Sequence, residues 1–297
     1  MKNYDVIVVG GSYAGMAAAL QLVRARRSVL VIDAGKRRNR AALHSHGFLS
    51  QDGVDPAVIA STARAQLERY PTLSWVDDLV VKASGSRDAF TVERAGGDIH
   101  GARRLLLATG VSDILPAVHG LAERWGTSVF HCPYCHGYEL DRGRIGVIAA
   151  SPLSVHQAQL LPEWGSVTFF TNGVLELDEA SQQDLSMRGV EVETARIDRI
   201  EGHAEVMMAD GRQLSFAGLF TAPKNAPSTS IAEDLGCVLA DTPMGTQIQT
   251  SDSKETNIAG VFACGDVARV PHSVSLAVAD GAWAGAQIHR SLVWPEN

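Results

Sequence analysis

The 297-residue chain is 45% hydrophobic and 20% charged, which places it among ordinary globular proteins with room for two compact units and excludes a disordered chain. Lys and Arg number 26 against 33 Asp and Glu, a net charge of −7 without a basic block, so neither a nucleic acid nor an anionic membrane surface suits it as a partner. The longest apolar runs, among them Val6–Val9 and Leu105–Ala108, fall far short of the ~20 residues of a membrane span, and a strand entered by Tyr4 leaves no room for an export signal, so a cytoplasmic location is expected.

In chain order, Tyr4–Val9 reads as a buried strand and Gly10-Gly11-Ser12-Tyr13-Ala14-Gly15 as a tight turn. Met16–Arg26 reads as an Ala/Leu-rich helix, and Ser28–Ile32 as a second strand ending at Asp33. This is a βαβ unit with a dinucleotide fingerprint: glycines let the backbone approach a pyrophosphate at the helix N-terminus, and Asp33 is placed to accept from a ribose hydroxyl. Ser12 stands where the second fingerprint glycine belongs, and its small side chain either fits or donates to the phosphate. The polar stretch Asn39–Gly53 carries His44-Ser45-His46 without a carboxylate cluster, which points to hydrogen bonding at the dinucleotide or its ring, or to plain solvent exposure, rather than to a metal site. Asp55–Tyr70 has helical periodicity, and the segments Trp75-Val76, Leu79–Val81, Ala89–Val92 and Arg103–Leu107 read as strands returning to the first sheet.

His131-Cys132-Pro133-Tyr134-Cys135-His136 is the chemical centre of the chain. Two thiols in Cys-x-x-Cys spacing close into a local disulfide, and neighbouring groups can lower one thiol's pKa so that a thiolate attacks or leaves. A structural zinc knuckle, a c-type haem attachment and a pair of inert core thiols are the other readings of the hexapeptide alone. In a reducing compartment the catalytic reading is favoured over a permanent staple. A second βαβ pattern follows, with strand Arg144–Ile148, helix Leu153–Leu161 and strand Ser166–Phe170. Its turn, Ala149-Ala150-Ser151-Pro152-Leu153-Ser154, lacks the glycines, and Thr171-Asn172-Gly173 replaces any basic or acidic group after the second strand. Both the pyrophosphate cradle and the residue that reads an NAD or NADP ribose are therefore expected to be missing. Gly260–Cys264 reads as a strand leading into Gly265-Asp266, and Ser273–Ala282 has helical apolar spacing.

The order of these motifs, from the Gly-rich βαβ unit through Ala108-Thr109-Gly110 and Cys-x-x-Cys to Ala263-Cys264-Gly265-Asp266, resembles the low-molecular-weight thioredoxin reductase family of FAD flavoproteins over essentially the whole chain. The resemblance implies an α/β fold of two Rossmann-like three-layer domains, the second inserted into the first. Residues 1–116 and 222–297 would form the FAD-binding domain and residues 117–221 the inserted domain. It implies an FAD site made by Gly10, Ser12, Tyr13, Ala14, Gly15, Asp33, His46, Val81, Ala108, Thr109, Gly110, Gly265, Asp266, Ser273 and Val274, with no metal. Asp266 would meet the ribityl and phosphate region, and the last helix would point its N-terminus at the flavin. Cys135 would face the flavin and Cys132 exchange with substrate. Where thioredoxin-reducing members usually carry an Asp as proton donor right after the pair, this chain has His136, whose imidazole, with an ordinary pKa of ~6.5, suits it as a catalytic proton acceptor, with Glu139 either orienting it or facing solvent. A homodimer is also implied.

Cys132-Pro133-Tyr134-Cys135-His136-Gly137-Tyr138-Glu139, taken with the missing nicotinamide fingerprint, is similar to flavin-dependent dithiol oxidases of the gliotoxin and holomycin type. That likeness implies a dithiol substrate, small molecule or thioredoxin-like protein, with O₂ as acceptor. The alternative is a thioredoxin-disulfide reductase fed by NADPH at an altered site or by a donor such as ferredoxin.

Overall fold

The computed structural model describes residues 2–295. Met1, Glu296 and Asn297, the ends of the FAD domain expected from the resemblance, lie outside the described residues. In chain order the first strands are β1 (Lys2–Val9), β2 (Val29–Asp33), β3 (Leu73–Asp77), β4 (Val80–Ser84), β5 (Phe90–Arg94) and β6 (Ile99–Leu107), with helices α1 (Tyr13–Arg24) and α2 (Pro56–Leu67) between them. β7 (Val111–Ile114) leads out to β8 (Val129–Phe130), α3 (Pro133–His136), β9 (Arg142–Ile148), α4 (Leu153–Leu160), β10 (Gly165–Phe170), α5 (Glu179–Met187) and β11 (Glu191–Glu193). A meander of β12 (Ile197–Glu201), β13 (Glu205–Met208) and β14 (Gln213–Ser215) precedes β15 (Gly218–Thr221). The chain returns through β16 (Lys224–Pro227), α6 (Ile231–Asp234), β17 (Leu239–Thr242), β18 (Gly245–Ile248), β19 (Val261–Ala263) and α7 (Val274–Val293).

The first sheet runs β3-β2-β1-β6-β5-β4, with β19 added beside β6. β1, β2, β3, β6 and β19 are parallel, and β4 and β5 close one side as an antiparallel pair. Alternation at period two sends Val6, Val8, Val29, Val31 and Leu106 to the face covered by α1, α2 and α7, and Ile7, Val9, Leu30, Ile32 and Leu105 to the opposite face. Both faces are covered, so the central strands are uniformly apolar, as a buried parallel sheet requires. The second sheet, β11-β10-β9-β15-β8, is parallel and packs in the same way, with Val147 and Phe169 on one face and Ile148 and Phe170 on the other. The two passages between these units, β7 and β16, pair antiparallel with Lys224 opposite Ile114. The fold is two Rossmann-like domains, the second carried as an insertion in the first.

Local differences from the sequence reading have local causes. α1 begins at Tyr13 because Ser12 already holds the extended N-cap conformation, φ −82° and ψ −166°. α2 is shorter than its apolar period suggests: it starts after Asp55, whose carboxylate accepts from Ala57 N–H at 2.7 Å, and ends at Leu67. α7 extends well beyond the Ser273–Ala282 window. Its last turn is held by Arg104 of β6, fully buried, which donates from Nη2 to the Ser291 carbonyl at 2.8 Å, from Nε to Ser291 Oγ at 3.0 Å and from Nη1 to Asp88 at 2.9 Å. Arg104→Ala is expected to cost about 3 kcal/mol, combining a side-chain cavity with the loss of the groups that satisfy the helix end; urea unfolding followed by far-UV circular dichroism measures it.

Candidate active site

The Gly-rich turn between β1 and α1 is folded as tightly as its backbone allows. Gly10 has φ +101°, and a Cβ there would lie 2.4 Å from the Ala108 carbonyl oxygen. A Cβ on Gly15 would lie 1.9 Å from the Gly10 carbonyl oxygen. Asp33, at the end of β2, accepts from Gly11 N–H at 2.9 Å and so braces the turn. Ser12 makes no side-chain cap bond, which leaves the first N–H groups of α1 open to a cavity walled by Ser12, Tyr13 and Ala14.

The same cavity is walled by His46, Ala108-Thr109-Gly110, Gly265-Asp266 and Ser273-Val274, and on its far side by His131, Cys132, Cys135 and His136. The structure thus brings most of the expected cofactor residues together with the cysteine pair. Four others do not line it: Gly10 and Gly15 shape the turn from behind, Asp33 braces it, and Val81 lies elsewhere. Val81 is 47% exposed on β4, where alternation sends Val80 into the core and its neighbour to solvent.

The residue that sequence reasoning missed is Arg38. Its guanidinium grips Asp113 through Nε and Nη2, with Nε–Oδ2 at 3.0 Å, and its Nη1 reaches Asp266 at 3.1 Å and His272 Nδ1 at 2.7 Å. Burial opposes its charge, but Asp113 and Asp266 outweigh burial and hold Arg38 fully protonated. The basic run Lys36-Arg37-Arg38 was a signal, but three adjacent cations give sequence no way to choose one.

Two buried acceptors on the cavity wall, Asn39 Oδ1 and His131 Nδ1, have no partner among the described residues. Open N–H groups at a helix start suit a pyrophosphate, and unpartnered buried acceptors suit ring and hydroxyl donors. The cavity therefore fits FAD on its own chemistry.

Cys132 sits at the N-cap of α3 and Pro133 at the first helical position. The Cys135 thiol beside it, against the opposing effect of burial, and the N–H groups of Cys135 and Tyr134 bring the Cys132 thiol down to about 7. The Cys132 sulfur and burial together push Cys135 far up. Both cysteines are thiols here. Cys237 and Cys264 are buried, which raises both; Cys264 touches the cavity wall.

His136 differs from expectation. Its ring stacks on Phe130 with centroids 4.3 Å apart and planes at 17°, and burial, aided by His46, pushes it down to about 4. It is a neutral imidazole near pH 7, a weaker base than the ordinary value of ~6.5 suggests. His131 is likewise pushed down to about 4, by burial and then by Arg38. Glu139 does not orient His136: its carboxylate lies 3.4 Å from Nε2 of His46, tying the segment after the cysteines to the loop of the first domain.

The turn of the second βαβ unit is closed by its own side chain. Ser154 Oγ accepts from Ala150 N–H at 3.0 Å and Ser151 N–H at 3.3 Å. The sequence has no basic group directly after β10, but the fold brings one there. Arg196, from beyond β11, lays its guanidinium over Gly173, with Nη2 at 3.2 Å and Nε at 3.3 Å from the place of a Cβ. It arrives after a further helix and strand, so adjacency in sequence could not reveal it. Among the described residues no three His, Cys, Asp or Glu side chains converge as for a metal ion, and no helix is long and apolar enough to cross a membrane.

A dinucleotide turn and a thiol pair facing one cavity from two nested α/β domains define the class, an FAD flavoprotein of thioredoxin reductase architecture. Known proteins agree. The sequence model of pyridine nucleotide-disulphide oxidoreductases matches residues 4–281, and the chain belongs to that family. The crystallised oxidoreductase of Agrobacterium tumefaciens is 58% identical, with a TM-score of 0.97 and 100% of both chains covered. Crystalline HlmI is 34% identical, with a TM-score of 0.91 over 98% of this chain and 93% of its own. Thioredoxin reductase tcpT of Claviceps purpurea is 31% identical over 97% of this chain and 94% of its length. The protein is an FAD-dependent thiol–disulfide oxidoreductase.

Proposed function

We propose that this protein is a dithiol oxidase: it closes a substrate dithiol to a disulfide at Cys132–Cys135 and delivers the electron pair, through FAD, to O₂. One dithiol and one O₂ give one disulfide and one hydrogen peroxide. The observation that carries this reading is the contrast between the two βαβ turns. The turn beside the cysteines is open to a dinucleotide, whereas the turn that would seat NADPH is closed by Ser154.

Bound FAD supplies the two-electron acceptor for the reduced pair and the donor to O₂. Ser12, Tyr13 and Ala14 would hold its pyrophosphate at the start of α1, and Asn39 and His131 would accept hydrogen bonds from it. A substrate thiolate attacks Cys132 of the oxidised pair and frees Cys135; the second substrate thiol then displaces Cys132. A Cys132 thiol lowered to about 7 suits it to that second step, because a low-pKa thiolate leaves readily. His136, neutral and beside the pair in the chain, accepts a thiol proton only in passing. Tyr134, edge-on to Trp164 at 5.4 Å, and Tyr138 are both exposed next to the pair in sequence, an aromatic rim for a small-molecule dithiol or for a thioredoxin-like protein. The proposal takes 117–221 as the inserted domain and a cytoplasmic homodimer as the working form, both on the family resemblance.

Thioredoxin-disulfide reduction with NADPH is the second reading, and Arg196 over Gly173 is the observation that favours it. An oxygen electrode with dithiothreitol, reduced thioredoxin and a small-molecule dithiol decides between them. Oxygen uptake matched by peroxide, with no anaerobic bleaching of the flavin by NADPH, is the expected result; prompt bleaching would establish the reductase.

A further inference from the structure

We propose that Ser154 is a specificity-determining plug, whose hydroxyl stands in for a dinucleotide pyrophosphate in the inserted domain while Arg196, the cation suited to a ribose 2′-phosphate, remains in place. This rests on the reading that the reaction proceeds without NADPH.

The donors of the second turn are nearly all consumed. Ala150 and Ser151 donate to Ser154 Oγ, at 3.0 and 3.3 Å. Ser154 N–H goes to the Ser151 carbonyl at 2.9 Å and Val155 N–H to the Pro152 carbonyl at 3.2 Å. Pro152 has no N–H to offer. Leu153 N–H alone is left, where a pyrophosphate takes several convergent N–H groups. Ser154 is fully buried, and Ser151 is buried with its own hydroxyl bonded to the Ala222 carbonyl at 3.2 Å. A ligand would have to break two N–H···Oγ bonds and displace a hydroxyl that has no route to water.

The other half of a nucleotide site is intact. In a βαβ unit the ribose of the adenosine is read just past the second strand. At that place, in the turn just past the end of β10 at Phe170, stands Gly173, with φ +67°, and the Arg196 guanidinium lies flat over it. Arg196 is exposed, and among the described residues the ion pairs of this region are made by Arg199 and Arg212 instead. A planar fork there matches a phosphate oxygen pair. The barrier to NADPH is thus the plugged cradle rather than the missing basic cluster.

The test is calorimetric titration of the FAD-loaded protein with NADP⁺ and NAD⁺, for wild type, Ser154→Gly with Pro152→Gly, and the same pair with Arg196→Ala. The wild type is expected to bind neither. The double variant is expected to bind NADP⁺ about tenfold more tightly than NAD⁺, and Arg196→Ala to erase that preference. A double variant that keeps its flavin and melting temperature yet binds neither nucleotide overturns the plug. NADP⁺ binding by the wild type overturns both the plug and the reading beneath it, whereas a wild type that binds neither nucleotide and yet shows no dithiol-driven oxygen uptake overturns the reading alone. Should the double variant not fold, Ser154→Ala supplies the answer through amide exchange: faster exchange at Ala150 and Ser151 supports the plug, and unchanged rates overturn it.

Discussion

Cys132→Ser and Cys135→Ser each lower dithiol-dependent oxygen uptake by about three orders of magnitude or more, because a hydroxyl neither forms the disulfide nor ionises near neutral pH. The variants part company in alkylation. Cys132 is lowered to about 7 and Cys135 is held protonated by its neighbour, so a limiting pulse of iodoacetamide labels Cys132 first in the reduced wild type. The pH profile carries the sign. A thiol reacts as its thiolate, so labelling of Cys132 rises with pH and levels off above about 7; between roughly pH 6 and pH 8 it gains about tenfold. A thiol left at its ordinary value near 9 would gain nearly a hundredfold across the same interval, so the slope distinguishes the two cases. His136, pushed down to about 4, adds no inflection there, and His136→Asn leaves the profile's midpoint in place. In Cys135→Ser the midpoint moves up, since the Cys135 thiol is the largest influence lowering Cys132. A flat profile, or preferential labelling of Cys135, would reverse the assignment of nucleophile and partner.

What the sequence made legible, and what it hid, divides by the range of the interaction. The two βαβ frames are written in local pattern: Val6–Val9 and Ile145–Ile148 as apolar runs, a turn, then a helix, so strand and helix identity followed from neighbours within one turn of chain. The Gly-rich turn and the cysteine pair were legible for the same reason. The departure at Ser12 costs the backbone nothing, because its conformation is open to any residue, unlike that of Gly10. The long-range partners were not legible. Glu139 follows the cysteines closely, yet its neighbour is His46, from the loop that precedes α2. His136 looked like an ordinary base until Phe130, on β8, was placed against its ring. Arg38 gains its role only when β7 brings Asp113 and the turn after β19 brings Asp266 to the same point. Sequence supplies the charges; tertiary contact decides which of them meet.

Gly15→Val is expected to yield colourless protein and to cost more than about 3 kcal/mol, the second large effect. The reason is that no neighbour can give way. A Cβ on Gly15 would meet the Gly10 carbonyl oxygen at 1.9 Å and Val8 Cγ1 at 3.2 Å, the first of which is backbone in a turn already fixed by Gly10. Relief would require α1 to back away from β1, but α7 lies immediately behind it. There, Gly281 and Gly285 admit the Ala14 and Ala18 carbonyls so closely that a Cβ would stand 2.0 and 2.6 Å from them. α1 is therefore clamped between a strand and a helix, and moving it opens the cradle on one side while overpacking the other. The start of α1 carries the N–H groups that suit a pyrophosphate, so loss of flavin accompanies loss of stability. Ser12→Gly is the control. Ser12 makes no cap bond and its backbone is unstrained, so restoring the fingerprint glycine changes stability by no more than about 0.5 kcal/mol and leaves the yellow colour intact. Flavin-to-protein absorbance and the melting temperature of both variants measure the contrast. A Gly15→Val protein that kept its flavin at wild-type occupancy would mean that α1 can shift where the packing leaves it no space.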